Sequence, residues 1–160
     1  MQKVLAFFLI PLALFLSCSP VTRILPEHVK KVYVKPFRNS TSEIGLEVGF
    51  ANAVIEEMLK DGRICPVNTK EESDGILSAT IKRYIVNKLF ALGDNNPSGQ
   101  YEIIIVVSVS LVNRNKNIIL WTESNMKGMQ MDYAANLKST RENIWERFSR
   151  NIIRRIVKTL

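Results

Sequence analysis

Apolar positions recur with two different periods along this chain, and the change from one to the other marks its elements. In residues 29–37, Val32 and Val34 fall on one face and Val29, Lys31, Tyr33 and Lys35 on the other, the two-residue period of a strand. From Ile44 the period lengthens, with Ile44, Val48, Ala51, Ile55 and Met58 spaced as on one face of a helix. Ser40 and Glu43 have the spacing of a capping box, Glu43 and Glu47 place negative charge near the helix start, and Gly62 suits its stop. The stretch PFRNSTSEIGLE is therefore accounted for as a strand-to-helix connection, without a ligand.

Strand periodicity returns in residues 75–91. Leu77, Ala79, Ile81 and Ile85 alternate with Ser78, Thr80, Lys82, Tyr84 and Val86, and Arg83 interrupts the apolar face. The turn-rich GDNNPSG follows, then residues 100–113, with Tyr101, Ile103, Ile105, Val107, Val109 and Leu111 opposite Glu102, Ile104, Val106, Ser108, Ser110 and Val112. Both faces are apolar near the middle of this strand, as in one covered on two sides or docked on a partner. NRNKN reverses the chain, and residues 118–126 return as a hairpin partner carrying Trp121. A closing helix is signalled by Ser139 and Glu142 at capping-box spacing. Its apolar stripe is Trp145, Phe148, Ile152, Ile156 and Leu160, backed by Ile144, Ile153 and Val157, and Arg147, Arg150, Arg154 and Lys158 form a basic flank.

The expected fold is α+β, a two-layer sandwich in the order β-α-β-β-β-α, with a four-stranded mixed sheet carrying two helices on one face. The first two strands should be parallel where adjacent, and the later ones should meander. Such a sheet leaves one face open, and here Ile104, Val106 and Val112 lie on it, so that face calls for a partner.

The amino terminus changes where this domain is expected to work. Lys3 precedes an apolar run over residues 4–15 broken only by Pro11, shorter than the ~20 residues of a membrane-spanning helix. Residues 1–17 read as a signal peptide, 18–26 as a tether and 27–160 as a single domain. FLSC, ending at Cys18, resembles the lipobox of bacterial lipoproteins, in which the cysteine is acylated and becomes the new amino terminus. An ordinary secretory cleavage with Cys18 as a spare thiol is the other reading. A diacylglycerol with an amide-linked chain would anchor stably, and Ser19 in place of aspartate fits outer-membrane sorting. Cys65 is the only other cysteine, so no internal disulfide is expected. A net charge of +7, or +6 without Lys3, suits anionic or phosphorylated lipids or an acidic protein surface rather than nucleic acid in an exported chain.

No enzyme is expected. The single histidine, His28, stands beside the tether without a nucleophile in view; Cys65 lacks partners at metal-ligand spacing and reads as a buried small apolar residue; Asp74 before Gly75 reads as a turn. Gly93, Gly99 and Gly128 form no phosphate-binding pattern, and neither metal nor cofactor is implied.

LPEHVKKVYVKPFRNSTSEIGLE followed by a helix is similar to the opening of the LptE family, the lipoprotein component of outer-membrane lipopolysaccharide assembly. The likeness lies in Leu25-Pro26, Pro36-Phe37, Asn39 with Thr41, and Gly45-Leu46. SDGILSATIKRY, GQYEIIIVVSVSLVN and NIILWTES resemble the family's later strands. This resemblance implies a lipid-anchored plug inside an LptD-type outer-membrane barrel, assisting its assembly and contacting lipopolysaccharide. It associates lipopolysaccharide contact with basic residues at the strand-loop end of the domain. Residues 89–99 contain no lysine or arginine, so Lys88 and Lys127 are the nearest candidates. A regulator of an envelope enzyme or a secretion-complex component could begin with a similar motif. A carrier enclosing lipid within its own fold would need a cavity that this length and Ile/Val content do not favour.

Overall fold

Pro36 cannot donate to a ladder, and the first strand stops before it. The computed structural model describes residues 29–89, 100–132 and 136–159. The signal peptide, Cys18, the tether, His28, the GDNNPSG turn and Leu160 lie outside the described residues. The elements are β1 (Lys31–Val34), β2 (Arg38–Asn39), α1 (Leu46–Asp61), β3 (Cys65–Val67), β4 (Gly75–Leu89), β5 (Gln100–Asn113), β6 (Ile118–Asp132) and α2 (Leu137–Thr159). The class is α+β, with both helices on one face of a mixed sheet.

That sheet has six strands rather than four, in the order β3-β1-β4-β5-β6, with β2 also on β4. The two additional strands are two and three residues long, too short for alternation to register, and β3 contains Pro66, tolerated because it lies at an edge. β1 pairs in parallel with both β3 and β4, while β4, β5 and β6 meander antiparallel. Asp74 does more than turn the chain. Its Oδ2 accepts from the N–H groups of Lys30 and Lys31 at 3.1 and 2.9 Å, fastening the start of β1 to the start of β4. Val29, which alternation grouped with Lys31, Tyr33 and Lys35, precedes β1 and is buried in the core at 2% exposure.

The first helix begins later than its sequence suggests, and it uses another face. Gly45, at φ 82°, is its N-cap, and Gly62, at φ 72°, closes it with a bond to Met58 O at 3.1 Å. Ser40 and Glu43 form no capping box. Asn39 organises the approach instead, because its Nδ2 donates to Glu43 O (2.6 Å) and Glu47 Oε2 (2.9 Å) while its Oδ1 accepts from Thr41 N (3.0 Å). Replacing Asn39 with alanine is expected to lower stability in urea titrations by about 1–3 kcal/mol. Ser40→Ala should stay within about 0.5 kcal/mol.

Leu46, Phe50, Val54 and Met58 make the buried stripe of α1. Ile44 and Val48, which the longer period placed in the core, are 93% and 57% exposed. Two apolar stripes share this helix, and only the one containing Phe50 faces the sheet.

α2 follows the expected pattern, with Ile144, Trp145, Phe148, Ile152, Ile153 and Ile156 buried and Arg147, Arg150, Arg154 and Lys158 exposed. Its cap differs. Asn136 Oδ1 accepts from Ser139 N at 3.2 Å, so Ser139 is inside the helix rather than before it. The two helices meet through Phe50, whose ring centroid lies 4.8 Å from Trp145, 5.9 Å from Phe148 and 5.0 Å from Phe37. Gly128 on β6 lets α2 approach: a Cβ there would stand 2.5 Å from Ile144 Cγ2 and 2.8 Å from Phe148 Cζ.

Candidate functional site

Strand pairing decides which side chains reach the face that carries no helix, since residues opposite one another in register share a face. On its lower half, Ser78 opposes Ser110 and Thr80 opposes Ser108, while Ser110 also opposes Thr122, a ladder of hydroxyls. Above them β4 bulges between Ile81 and Arg83, and β6 shifts register opposite Val107 and Val109. A bulge adds one residue and exchanges the two faces beyond it.

Tyr84 and Val86 thus turn to the helix side, and Arg83 and Ile85 to the open side. This reverses the alternation expected for Ile85, which is 37% exposed. Arg83, Val106 and Lys127 stand in one row across β4, β5 and β6. Lys82, the extra residue of the bulge, donates from Nζ to Ser124 O on β6 at 2.8 Å. Val106 is only 2% exposed although no helix covers it, and Lys82 reaches across β5 beside it to Ser124 on β6. Beyond this cationic row, Ile85 opposes Ile104 and Ile104 opposes Met129, with Met131 next to them. Met129 and Met131 are 44% and 49% exposed. A Glu102–Asn87 hydrogen bond of 2.9 Å borders the patch.

The open face can therefore bind an amphipathic molecule by charge at its middle and by apolar contact above. Lys127 belongs to this face. Lys88 does not, because it opposes Tyr101 on the helix side, with Nζ 5.9 Å from that ring's centroid. The two lysines point to opposite faces, and Lys82 and Arg83 complete the row that sequence reasoning reached only through Lys127. The one signal in the sequence was the arginine that broke the alternation of the strand.

On the helix side, Arg141 joins the layers. Its Nη1 lies 2.7 Å from Glu43 Oε1 and its guanidinium 5.9 Å from the Tyr84 ring centroid. Burial pushes the Tyr84 phenol up, and the charge of Arg141 opposes the shift. Cys65, expected to be buried, is exposed, since β3 is an outer strand. Among the described residues, no cluster of histidine, cysteine, aspartate or glutamate could hold a metal ion. Within the same residues, no helix is long and apolar enough to cross a membrane.

A family model for LptE, described as lipopolysaccharide-assembly, matches residues 29–160. The chain belongs to the LptE family. Its fold is shared by several solved proteins. Protein XCC0632 from Xanthomonas campestris aligns over 81% of this LptE-family chain and 86% of its own, at a TM-score of 0.55 and 11% identity. Lipoprotein B from Nitrosomonas europaea covers the same shares at a TM-score of 0.54 and 14% identity. The PelC dodecamer from Paraburkholderia phytofirmans matches over 74% of this chain and 85% of its own, with a TM-score of 0.53 and 13% identity. Among curated protein sequences none matches.

Proposed function

We propose that this LptE-family chain is an outer-membrane lipoprotein, anchored through acylated Cys18, that plugs an LptD-type barrel, assists its assembly and takes part in moving lipopolysaccharide to the cell surface. The observation that carries the reading is the open sheet face, where a row of cations (Lys82, Arg83, Lys127) borders exposed Ile85, Met129 and Met131. A phosphorylated glycolipid presents the complementary arrangement, with phosphates for the row and acyl chains for the patch. The apolar part also suits a barrel wall. Lys88, at the far end of the same hairpin, meets lipid approaching from the other side.

Two measurements test this reading. Copurification of the intact lipoprotein in detergent should yield a stable complex with a barrel protein. Recovery of an envelope enzyme, or of a large assembly of copies such as the PelC dodecamer, would favour the regulator or secretion-complex reading instead. In lipopolysaccharide binding, Lys127→Glu and Arg83→Glu should weaken the interaction, with the difference shrinking at high salt as the charges are screened. Lys88→Glu should do the same to a smaller extent, and Lys158→Glu, on the far helix, should matter less than Lys127→Glu. Salt-independent binding, or equal effects from Lys158 and Lys127, would remove the lipid-contact half of the proposal.

A further inference from the structure

Several features gather at the end of the sheet where the chain enters. Val29 packs beside Gly75, and Gly75 pairs with Asn113, the last residue of β5. The turn to β6 is therefore at this end, and the first residues of β6, Ile118 and Ile119, are 50% and 66% exposed. α2 arrives here as well. It runs antiparallel to β6, with Arg147 donating to Met129 O at 2.9 Å and Arg155 pairing with Glu123 at 2.9 Å. Its last turn, beyond Arg155 and the Trp121 ring it covers, thus points toward the start of β6. Arg154 and Lys158 line a groove of about 450 Å³ between α2 and β6.

The composition of this end is that of a membrane-surface contact. Two exposed isoleucines follow the turn that carries Lys116, Ile119 on the open face and Ile118 on the helix side, and Lys30 and the last turn of α2 with Lys158 lie toward the same end. Apolar side chains able to enter the headgroup boundary, ringed by cations, bind anionic lipid surfaces. The acids at this end include Asp61, Glu71, Glu72, Asp74 and Glu123, of which Asp61 pairs with Arg63, Glu123 with Arg155, and Asp74 is occupied by two backbone N–H groups.

Position adds a second argument. Residues 18–28 span at most about 40 Å even when fully extended. The opposite end of the molecule lies a further length of β4 away, about 50 Å for 15 residues. A tether this short makes any contact between the entry end and the anchoring membrane intramolecular, so a weak affinity suffices.

The geometry points to a membrane-docking surface: the β5–β6 turn and the last turn of α2 sit on anionic phospholipid of the leaflet that holds the anchor, with Ile118 and Ile119 at headgroup level. This inference rests on the anchored reading of Cys18. It also orients the plug, with the cation row and apolar patch of the open face directed away from that leaflet.

The test uses the full lipoprotein, its acyl chain verified by mass spectrometry, carrying Cys65→Ser and an environment-sensitive fluorophore at Ile119→Cys. It is reconstituted in phosphatidylglycerol/phosphatidylcholine vesicles and in phosphatidylcholine alone. Emission should shift to the blue only in the anionic vesicles, and high salt should reverse the shift. Lys116→Gln and Lys158→Gln should each lower the docked fraction relative to undocked about fivefold, the worth of one basic side chain at an anionic surface. A fluorophore at Val48→Cys should report water throughout. An acylated protein whose residue 119 reports water in both vesicles overturns the docking while leaving the anchor. Absence of an acyl chain overturns both. Equal shielding in neutral vesicles, or shielding that grows with protein density, assigns the patch to another occupant and also overturns it.

Discussion

Phe50→Ala is expected to destabilise the domain by about 3–5 kcal/mol, the cost of deleting a fully buried aromatic side chain and leaving a cavity. Phe50 is 0% exposed and contacts Phe37, Trp145 and Phe148, so the void would open where both helices and the first connection meet. Neighbours from three segments cannot all move inward together, and this places the loss at the upper part of the range. Truncating Val48, two residues earlier and 57% exposed, should change stability by no more than about 0.5 kcal/mol. Urea titration of both variants separates the two apolar stripes of α1. Equal losses would mean that the stripe containing Ile44 and Val48 packs on the sheet.

A second large effect is expected from filling the space above Gly128. The glycine faces Ile144 and Phe148 across the layer boundary, and even a single added carbon meets both at less than van der Waals separation. Gly128→Ala should cost about 1–3 kcal/mol by overpacking. Gly128→Leu should exceed that, because α2 would have to lift from β6 and expose part of its stripe. The measurement is the urea midpoint together with near-ultraviolet circular dichroism of Trp145. An alanine variant of unchanged stability would show that the helix has slack over this strand.

Legibility in the sequence followed the strength of each period. α2 was readable because large apolar residues hold one face for about four turns while arginines and a lysine hold another. In β5, Ile103, Ile105, Val107 and Val109 alternate without interruption, and their burial follows. α1 was misread at its start because Ile44, Val48 and Ile55 form a stripe as regular as the buried one, and only packing against the sheet distinguishes them. Its N-cap was hidden for a different reason: Ser40 had the right chemistry, but the side chain that tied the turn was Asn39, through partners four and eight residues on. The candidate site was half legible. Of the cations that register places on the open face, the sequence singled out Lys127, whereas Arg83 registered only as a defect in the alternation, since a bulge of one residue reverses the faces beyond it and leaves no pattern of its own. That same reversal separates Lys88 from Lys127.

The short strands β1 and β2 have a consequence for the remainder of β4. They pair with it only as far as Ile81. Among the described residues, nothing continues that side of the sheet, so the segment from Arg83 to Leu89 presents its outer amide and carbonyl groups to solvent for half the length of the strand. An exposed edge of this kind is a template on which an extended segment of another chain can add, with main-chain bonds supplying affinity. Arg83 and Lys88 sit on that edge, and their charge disfavours addition of a second copy of the same edge. Neutralising both would therefore leave the core intact and still shorten the time for which the isolated domain stays monodisperse, through edge-to-edge growth rather than unfolding.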